Sequence, residues 1–266
     1  TLQQRANIND ILNYVLDADT LTKSNREQVR SLSFDIYVQN VISGALVYNL
    51  NETVTLLESR GVFVYYVSRW LELIPQLKRV YDLKLSLLGL ISLVNSNEQL
   101  ENLEKQQAGS ITHLVRGIFQ LLKTLPDSIN DFEKTRKEYS YVAIKDLEHE
   151  FNQSQWRDED EEDDDEEAAD VTDEQGTDHA NWEDEKYDSF LTKELKNSGF
   201  YDDEEELLLE DPLLTTPLDN LNVFQLFKDF IVGMQTVDEQ KYQILFGKLE
   251  ESELQVIKDV FEVVKE

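Results

Sequence analysis

The stretch that decides the fold of this protein is DLKLSLLGLISLV, residues 82–94, in which leucines recur at helical spacing. Leu83, Leu87, Leu90 and Val94 follow one another at steps of four, three and four residues. This spacing places one apolar stripe along one face of a helix. The stretch therefore predicts an amphipathic helix that packs against other helices.

The same period appears on both sides of this stretch. The segment VFVYYVSRWLELIP is rich in β-branched and aromatic residues, as a strand would be, yet its apolar positions also step by three and four. We therefore expect helix there too. The predicted stripes are Phe34, Val38, Val41, Ala45 and Tyr48; Val64, Val67, Leu71 and Ile74; Ile111, Val115, Ile118, Leu122 and Leu125; and Phe224, Phe227, Ile231 and Met234.

Capping signals and prolines indicate where these helices begin and end. Three pairs fit the capping box, in which Ser or Thr is followed three residues later by Glu or Gln: Ser24 with Glu27, Ser96 with Gln99, and Thr236 with Glu239. Pro75 and Pro126 stand between periodic segments, where a helix is expected to stop or start. The helices pair at roughly the ~40–47-residue period of HEAT or armadillo repeats.

We therefore predict an all-α fold, an α-solenoid of HEAT repeats with a long acidic insertion before the last helical hairpin. The predicted regions are residues 1–156 as helical repeats, residues 157–217 as a largely disordered acidic insertion, and residues 218–266 as the terminal hairpin. The chain opens in a helical pattern without an initiator Met, which indicates a fragment of a longer protein.

The charge of the chain is concentrated in one region. Acidic residues outnumber basic ones by 55 to 25, and residues 158–211 hold 26 acidic residues against three lysines. Such a field repels nucleic acid and anionic membranes and attracts basic proteins. We expect no direct nucleic-acid binding, and no membrane insertion because no apolar run approaches ~20 residues. The absence of cysteine fits a reducing compartment.

Ten consecutive carboxylates form the centre of this acidic region. They cannot enter an apolar core without partners, so they are either a solvated spacer or a surface that attracts lysine-rich proteins. The ten residues are Asp158, Glu159, Asp160, Glu161, Glu162, Asp163, Asp164, Asp165, Glu166 and Glu167.

An apolar cluster follows the acidic run and predicts a short amphipathic helix near residues 183–197. A helix this short needs a surface on which to form. We expect it to anchor the acidic loop, either on the solenoid itself or on a bound partner. The cluster consists of Trp182, Tyr187, Phe190, Leu191 and Leu195.

The sequence gives no pattern that indicates catalysis, a metal or another cofactor. His113, His149 and His179 are not at metal-ligand spacing from one another. The acidic run imitates the start of a calcium-binding loop, but Asp163 stands where that loop needs glycine and Ala169 where it needs glutamate. Phosphate-binding glycine motifs are absent as well. We therefore predict a protein that is not an enzyme.

Three stretches of the chain together resemble the importin-beta superfamily, in its importin-seven and importin-eight branch, with the importin-nine branch second. The first holds Trp70-Leu71, Arg79-x-Tyr81-Asp82-x-Lys84-Leu85 and Leu88-Gly89-Leu90. The second is the acidic insertion with YDSFLTKELKNSGFYDDEEELLLEDPL. The third runs from TPLDNLNVFQLFKDFIVGM to YQILFGKLEESELQVI.

This resemblance implies a nuclear import receptor that carries basic cargo, such as ribosomal proteins or histones, through the nuclear pore under Ran control. It implies binding to phenylalanine-glycine nucleoporins and to Ran-GTP, the latter mainly outside this chain, and a location in both cytoplasm and nucleus. The carboxylates of Asp158–Glu167 would then contact or shield cargo. An acidic histone chaperone or a HEAT-repeat scaffold is the alternative.

Overall fold

The computed structural model describes residues 8–24, 31–155 and 210–264. These residues contain no strand, and the prediction of an all-α, solenoid-like fold is confirmed. The helices are α1 (Ile8–Ser24), α2 (Leu32–Tyr48), α3 (Leu50–Ser59), α4 (Phe63–Leu73), a 3-10 turn (Ile74–Gln76), α5 (Val80–Asn95), α6 (Asn97–Gln106), α7 (Ser110–Gln155), α8 (Val223–Val237), α9 (Glu239–Phe246) and α10 (Glu251–Val263).

The chain forms two compact units, residues 1–134 with 208–266, and residues 135–207. The contacts described below all belong to the first unit. In that unit α5 packs most extensively on α2 and also contacts α8, and α8 packs on both α9 and α10. Residues distant in sequence thus share one core.

The leucine stripe of α5 forms the centre of this core, as its spacing predicted. Leu83, Leu87, Leu90 and Val94 are fully buried. Full burial of one such side chain contributes about 1.5–3 kcal/mol relative to exposure. The predicted stripe of α7 is also confirmed, because four of its five residues are buried in the core: Val115, Ile118, Leu122 and Leu125. The fifth, Ile111, is partly buried and packs against the core.

The predicted stripe of α2 is only partly correct. Val38 and Ala45 are buried, but Tyr48 is 63% exposed, and the core is instead filled by Ile42 and Leu46. The physical reason is that polar residues such as Asp35 and Gln39 are buried on α2 while Tyr48 is exposed, so apolar periodicity alone does not single out its buried face.

The strand-like segment before Pro75 is helical, as its spacing predicted. In α4 the buried face is formed by Phe63, Val67 and Trp70, and Val64 is only partly buried. Tyr66 on the same helix donates a hydrogen bond from its hydroxyl to the buried carboxylate of Asp19 on α1. This contact joins α1 and α4 by a polar bond inside an apolar interface.

Two predicted helix boundaries are wrong and two are confirmed, one of them at Pro75, which lies in the 3-10 turn after α4. Pro126 lies inside α7 rather than between helices. A proline removes only one helical hydrogen bond donor, and the buried leucines of the preceding turn hold the helix on the core. Thr236 does not cap α9, since its hydroxyl donates to carbonyls of its own helix, and Asp238 supplies the cap. Ser96 accepts a hydrogen bond from the N–H of Gln99, as predicted. Ser24 with Glu27 lies partly outside the described residues.

The terminal helices α8 and α9 pack on α7 through aromatic rings. Phe227 is fully buried, and its ring meets that of Phe119 edge-on with centroids 6.1 Å apart. Phe119 meets Phe246 of α9 in the same way at 6.2 Å. Edge-to-face aromatic pairs add about 0.5–1.5 kcal/mol to the effect of burial. The aromatic cluster therefore joins α7, α8 and α9.

Candidate functional site

The motif that carried the family resemblance forms a packing seam between α2, α4 and α5. The indole N–H of Trp70 donates to the Ser86 hydroxyl at 3.2 Å, and both residues are buried. A Cβ added at Gly89 would lie 2.6 Å from Cη2 of Trp70 and 3.4 Å from Cβ of Ser43. Small residues thus allow α5 to approach Trp70 and α2 closely, so this part of the motif is structural.

A buried ion pair lies at the start of α5. Nε of Arg79 donates to Oδ2 of Asp82 at 2.7 Å, and Nδ2 of Asn40 donates to Oδ1 of Asp82 at 2.8 Å. Burial raises the pKa of Asp82, although the bonds from Arg79 and Asn40 oppose that rise. Arg79 also lies over the ring of Tyr37, 4.8 Å from its centroid. The pair therefore joins α5 to α2.

The cap of α5 comes from a residue that is distant in sequence. The carboxylate of Glu210 accepts from the N–H groups of Val80 at 2.6 Å and Tyr81 at 3.1 Å. Burial raises the pKa of Glu210, and the two backbone donors oppose that rise. The neighbouring charges are the carboxylate of Asp82, which adds to the rise, and the guanidinium of Arg79, which opposes it.

Residues 210–222, here called the strap, are bound to α5 at a second point. Nζ of Lys84 donates to the carbonyl oxygens of Leu218 at 2.7 Å and Asp219 at 3.2 Å. Burial lowers the pKa of Lys84, while Asp219 and Glu210 oppose that fall. The strap is thus fixed near both of its ends, although part of it, residues 210–217, belongs to the stretch predicted as insertion.

Between these two points the strap forms turns that expose apolar side chains. Asp211 Oδ1 accepts from the N–H of Leu213 at 2.8 Å, and Oγ1 of Thr216 donates to Oδ1 of Asp219 at 2.5 Å. Leu213 and Leu214 are 68% and 57% exposed. Two leucines are therefore held at the surface by a hydrogen-bonded turn.

An open groove of about 260 Å³ lies between α6 and α9, closed at one side by the start of α7. Its apolar lining comes from Leu100, Ile111, Ile244 and Leu245. Leu100 and Leu245 are buried in the floor, while Ile244 is 66% exposed. The groove therefore presents apolar surface to solvent.

The rim of the groove is acidic and polar. It carries the carboxylates of Glu101 and Asp238 and the side chain of Lys241. Nζ of Lys241 donates to the carbonyl oxygen of Asn95 at 2.7 Å, and burial lowers the pKa of Lys241, with Asp238 opposing the fall. The bond to a neutral carbonyl leaves this ammonium group charged, so the rim carries two carboxylates against one ammonium group.

The sequence-predicted site residues lie outside the described residues. This holds for the acidic run Asp158–Glu167 and for the proposed anchor residues Trp182, Tyr187, Phe190, Leu191 and Leu195. Both assignments stay predictions. Sequence reasoning missed Glu210 and the groove. The signal for the strap was the proline-flanked sequence DPLLTTP at residues 211–217, and the groove gave no local signal.

Two further absences concern only the described part of the chain. Within it, no group of three or more His, Cys, Asp or Glu side chains is placed to hold a metal ion. Across residues 8–24, 31–155 and 210–264, no helix combines the length and apolarity that a membrane span needs.

Comparison with known proteins gives one relative to report. The chain is 29% identical over 224 residues to the Saccharomyces cerevisiae protein named nonsense-mediated mRNA decay protein 5. The match covers 79% of this chain and 19% of that relative, so the chain spans about a fifth of the relative's length. No protein-family model matches the chain. No solved structure matches it either.

This finding corrects the sequence-based identification. The name of the relative is that of an mRNA-decay protein and not of a nuclear import receptor. The assignment to the importin-beta superfamily, and the function of carrying basic cargo through the pore under Ran control, are therefore not upheld. The chaperone and scaffold alternative is not supported by that name either. The physical reason lies in the motif, whose residues Trp70, Arg79 and Lys84 serve packing, and a packing motif reports fold rather than function.

Proposed function

We propose that the chain acts by binding and not by catalysis, and that the groove between α6 and α9 is its binding site. The occupant is a protein segment in which an apolar side chain stands between lysines or arginines. The observation that carries this proposal is the make-up of the groove, an apolar floor under an acidic rim.

The size of the groove supports a side chain as its occupant. Pockets for small molecules and cofactors usually measure about 300–1,000 Å³ and enclose most of the ligand. This groove measures about 260 Å³ and is open to solvent. An apolar side chain at the surface of a partner fits such a space, and its burial would cover the exposed part of Ile244.

The charge of the rim supports a basic partner. Glu101 and Asp238 border the groove, and Glu98 and Glu239 are exposed on the same helices. The whole chain carries a net charge of −30, which favours encounter with positively charged proteins. Of the predicted partners, only a basic protein has this support from the described residues. Ran and nucleoporin binding, and location in cytoplasm and nucleus, rest on the resemblance alone and stay untested predictions.

The relative suggests a cellular process in which to examine this binding. Its name refers to nonsense-mediated mRNA decay, and it matches most of this chain. We therefore propose decay of a reporter mRNA with a premature stop codon as the first cellular assay. A groove variant that alters the half-life of this reporter, and leaves a normal mRNA unchanged, would support the link.

The binding proposal is tested with two synthetic peptides. Both carry leucines one helical turn apart, flanked by lysines in one peptide and by glutamates in the other. Fluorescence anisotropy with the whole chain should show binding of the lysine peptide and little of the glutamate peptide. The variant Ile244→Ser should weaken binding about tenfold, the effect expected of an interface residue worth ~1.4 kcal/mol.

The matched control is Val263→Ser on α10, since Val263 is 61% exposed and does not line the groove. This variant should bind the lysine peptide as the unaltered chain does. Equal weakening by both variants, or equal binding of both peptides, would overturn the proposal.

A further inference from the structure

The strap contains the one Ser-Pro or Thr-Pro dipeptide of the sequence. Of the four prolines in the chain, only Pro217 follows a hydroxyl-bearing residue, Thr216. Kinases of the proline-directed class recognise Thr or Ser immediately before proline. The dipeptide stands on a surface turn, with Thr215 and Pro217 exposed and Thr216 partly exposed. Exposed turns are the segments that other enzymes, such as proteases, reach most readily.

The hydroxyl of Thr216 has a structural role in the strap. Its Oγ1 donates to Oδ1 of Asp219 at 2.5 Å, and the N–H of Asp219 donates to the carbonyl of Thr216 at 3.1 Å. The carbonyl of the same Asp219 accepts from Nζ of Lys84. The geometry of Thr216 is therefore coupled to the second attachment point of the strap on α5.

The charges around this point are mostly negative. Glu210, Asp211 and Asp219 belong to the strap itself, and Asp82 is buried on α5 near Glu210. Lys84 is the cation that the strap contacts through backbone carbonyls. A phosphate adds about −1.5 to −2 charges and disrupts structure when it is placed next to Asp or Glu.

We propose that Thr216 is a phosphorylation site for a proline-directed kinase and that its phosphate releases the strap from α5. In the reaction, Oγ1 attacks the terminal phosphorus of a nucleoside triphosphate, and the bond from that phosphorus to the bridging oxygen breaks. The nucleoside diphosphate leaves, and the hydroxyl proton passes to the base of the kinase. Thr216 then has no proton to donate to Asp219.

The release follows from two changes at Asp219. Its side chain loses the hydroxyl donor, and it gains a dianion as its neighbour. The strap segment moves away from this repulsion, and the carbonyls that Lys84 binds move with it. The cap that Glu210 provides is then held by one attachment instead of two, so the first turn of α5 opens more often.

The site is tested by treating the whole chain with a purified proline-directed kinase and ATP, followed by mass spectrometry. We expect one phosphate on Thr216, lost in Thr216→Ala and retained in Thr215→Ala. The neighbouring threonine is a matched control because it lies on the same exposed turn without a following proline. Absence of phosphate, or phosphate retained in Thr216→Ala, would overturn the site.

The release is tested by hydrogen exchange at the backbone amides of Val80 and Tyr81, which donate to Glu210. Phosphorylation should speed their exchange about tenfold, whereas amides in the centre of α5 should not change. Thr216→Glu should give a smaller increase in the same direction, and Thr215→Glu none. Unchanged or slower exchange in the phosphorylated chain would show that the phosphate does not release the strap.

Discussion

Glu210 accepts a hydrogen bond from the backbone N–H of Val80 at 2.6 Å, although 130 positions separate the two residues in sequence. The first N–H groups of a helix have no partner within the helix, and a carboxylate there also meets the positive end of the helix dipole. We expect Glu210→Ala to destabilise the protein by about 0.5–2 kcal/mol, the range measured for loss of a helix cap.

Urea unfolding checks this prediction, with Thr215→Ala as the control on the same strap. Glu210→Gln should lose less stability than Glu210→Ala, because its amide oxygen still accepts a hydrogen bond and no ionised group is buried. Equal stability of the unaltered chain and Glu210→Ala would show that the Glu210 cap does not stabilise α5.

The contribution of Glu210 to stability should depend on pH. Burial raises its pKa in the folded state above the ordinary 4.5, so the folded state binds the proton more tightly than the unfolded state does. The stability that Glu210 contributes is therefore fully present below the ordinary pKa and declines as pH rises through the raised pKa. The pKa of Asp82 is also raised, so its ionisation changes the free energy of unfolding in the same direction.

The measurement is the difference in unfolding free energy between the unaltered chain and Glu210→Gln as pH rises from about 4. Asp82 is present in both proteins, so the difference reports Glu210 together with its interaction with Asp82. We expect the unaltered chain to lose stability relative to Glu210→Gln as the carboxyl group ionises. A relative stability that rises with pH would mean that the N–H groups of Val80 and Tyr81 outweigh burial.

The core could be predicted from sequence where apolar residues recur at helical spacing on one face of a helix. Leu83, Leu87 and Leu90 repeat at helical steps, and all three are fully buried. Ser96 and Gln99 are three residues apart, and their cap forms as the spacing predicted. Tyr48 of α2 was predicted to be buried and is exposed. Polar residues such as Asp35 and Gln39 share the buried face of this helix, so apolar spacing does not identify that face.

The strap and the groove could not be predicted in this way. The bond from Val80 to Glu210 joins distant positions, and neither residue type is unusual in its own neighbourhood. The groove likewise takes Leu100, Ile111 and Ile244 from three helices. Which of these surfaces meet depends on the packing of the whole unit. The family resemblance rested on residues that serve packing, and the function it implied was not upheld by the comparison.

The aromatic contact between α7 and α8 should be a main determinant of stability for the terminal helices. Phe227 is fully buried and meets Phe119, so Phe227→Ala should cost about 3–5 kcal/mol. The adjacent Leu226 is 39% exposed, and Leu226→Ala should cost far less. Chemical unfolding of both variants makes the comparison, and similar costs would contradict docking through Phe227.

Two glycines in helix interiors should respond oppositely to the same substitution. Alanine at Gly89 of α5 would place its Cβ 2.6 Å from Trp70. That indole cannot move aside freely, because it is buried and its N–H binds Ser86. We expect Gly89→Ala to destabilise the protein by about 1–3 kcal/mol, the usual cost of an extra carbon in a packed core.

At Gly44 of α2, an added Cβ would meet no atom within 4 Å. Alanine is favoured over glycine in a helix interior by about 0.5–1 kcal/mol, mainly because it restricts the unfolded chain. Gly44→Ala should therefore stabilise the protein by up to about that amount. Thermal unfolding of the two variants checks both predictions, a lower melting temperature for Gly89→Ala and a higher one for Gly44→Ala. If Gly89→Ala were also stabilising, the close approach of α5 to Trp70 would not be required for the fold, and the seam would have to be looser than the contact indicates.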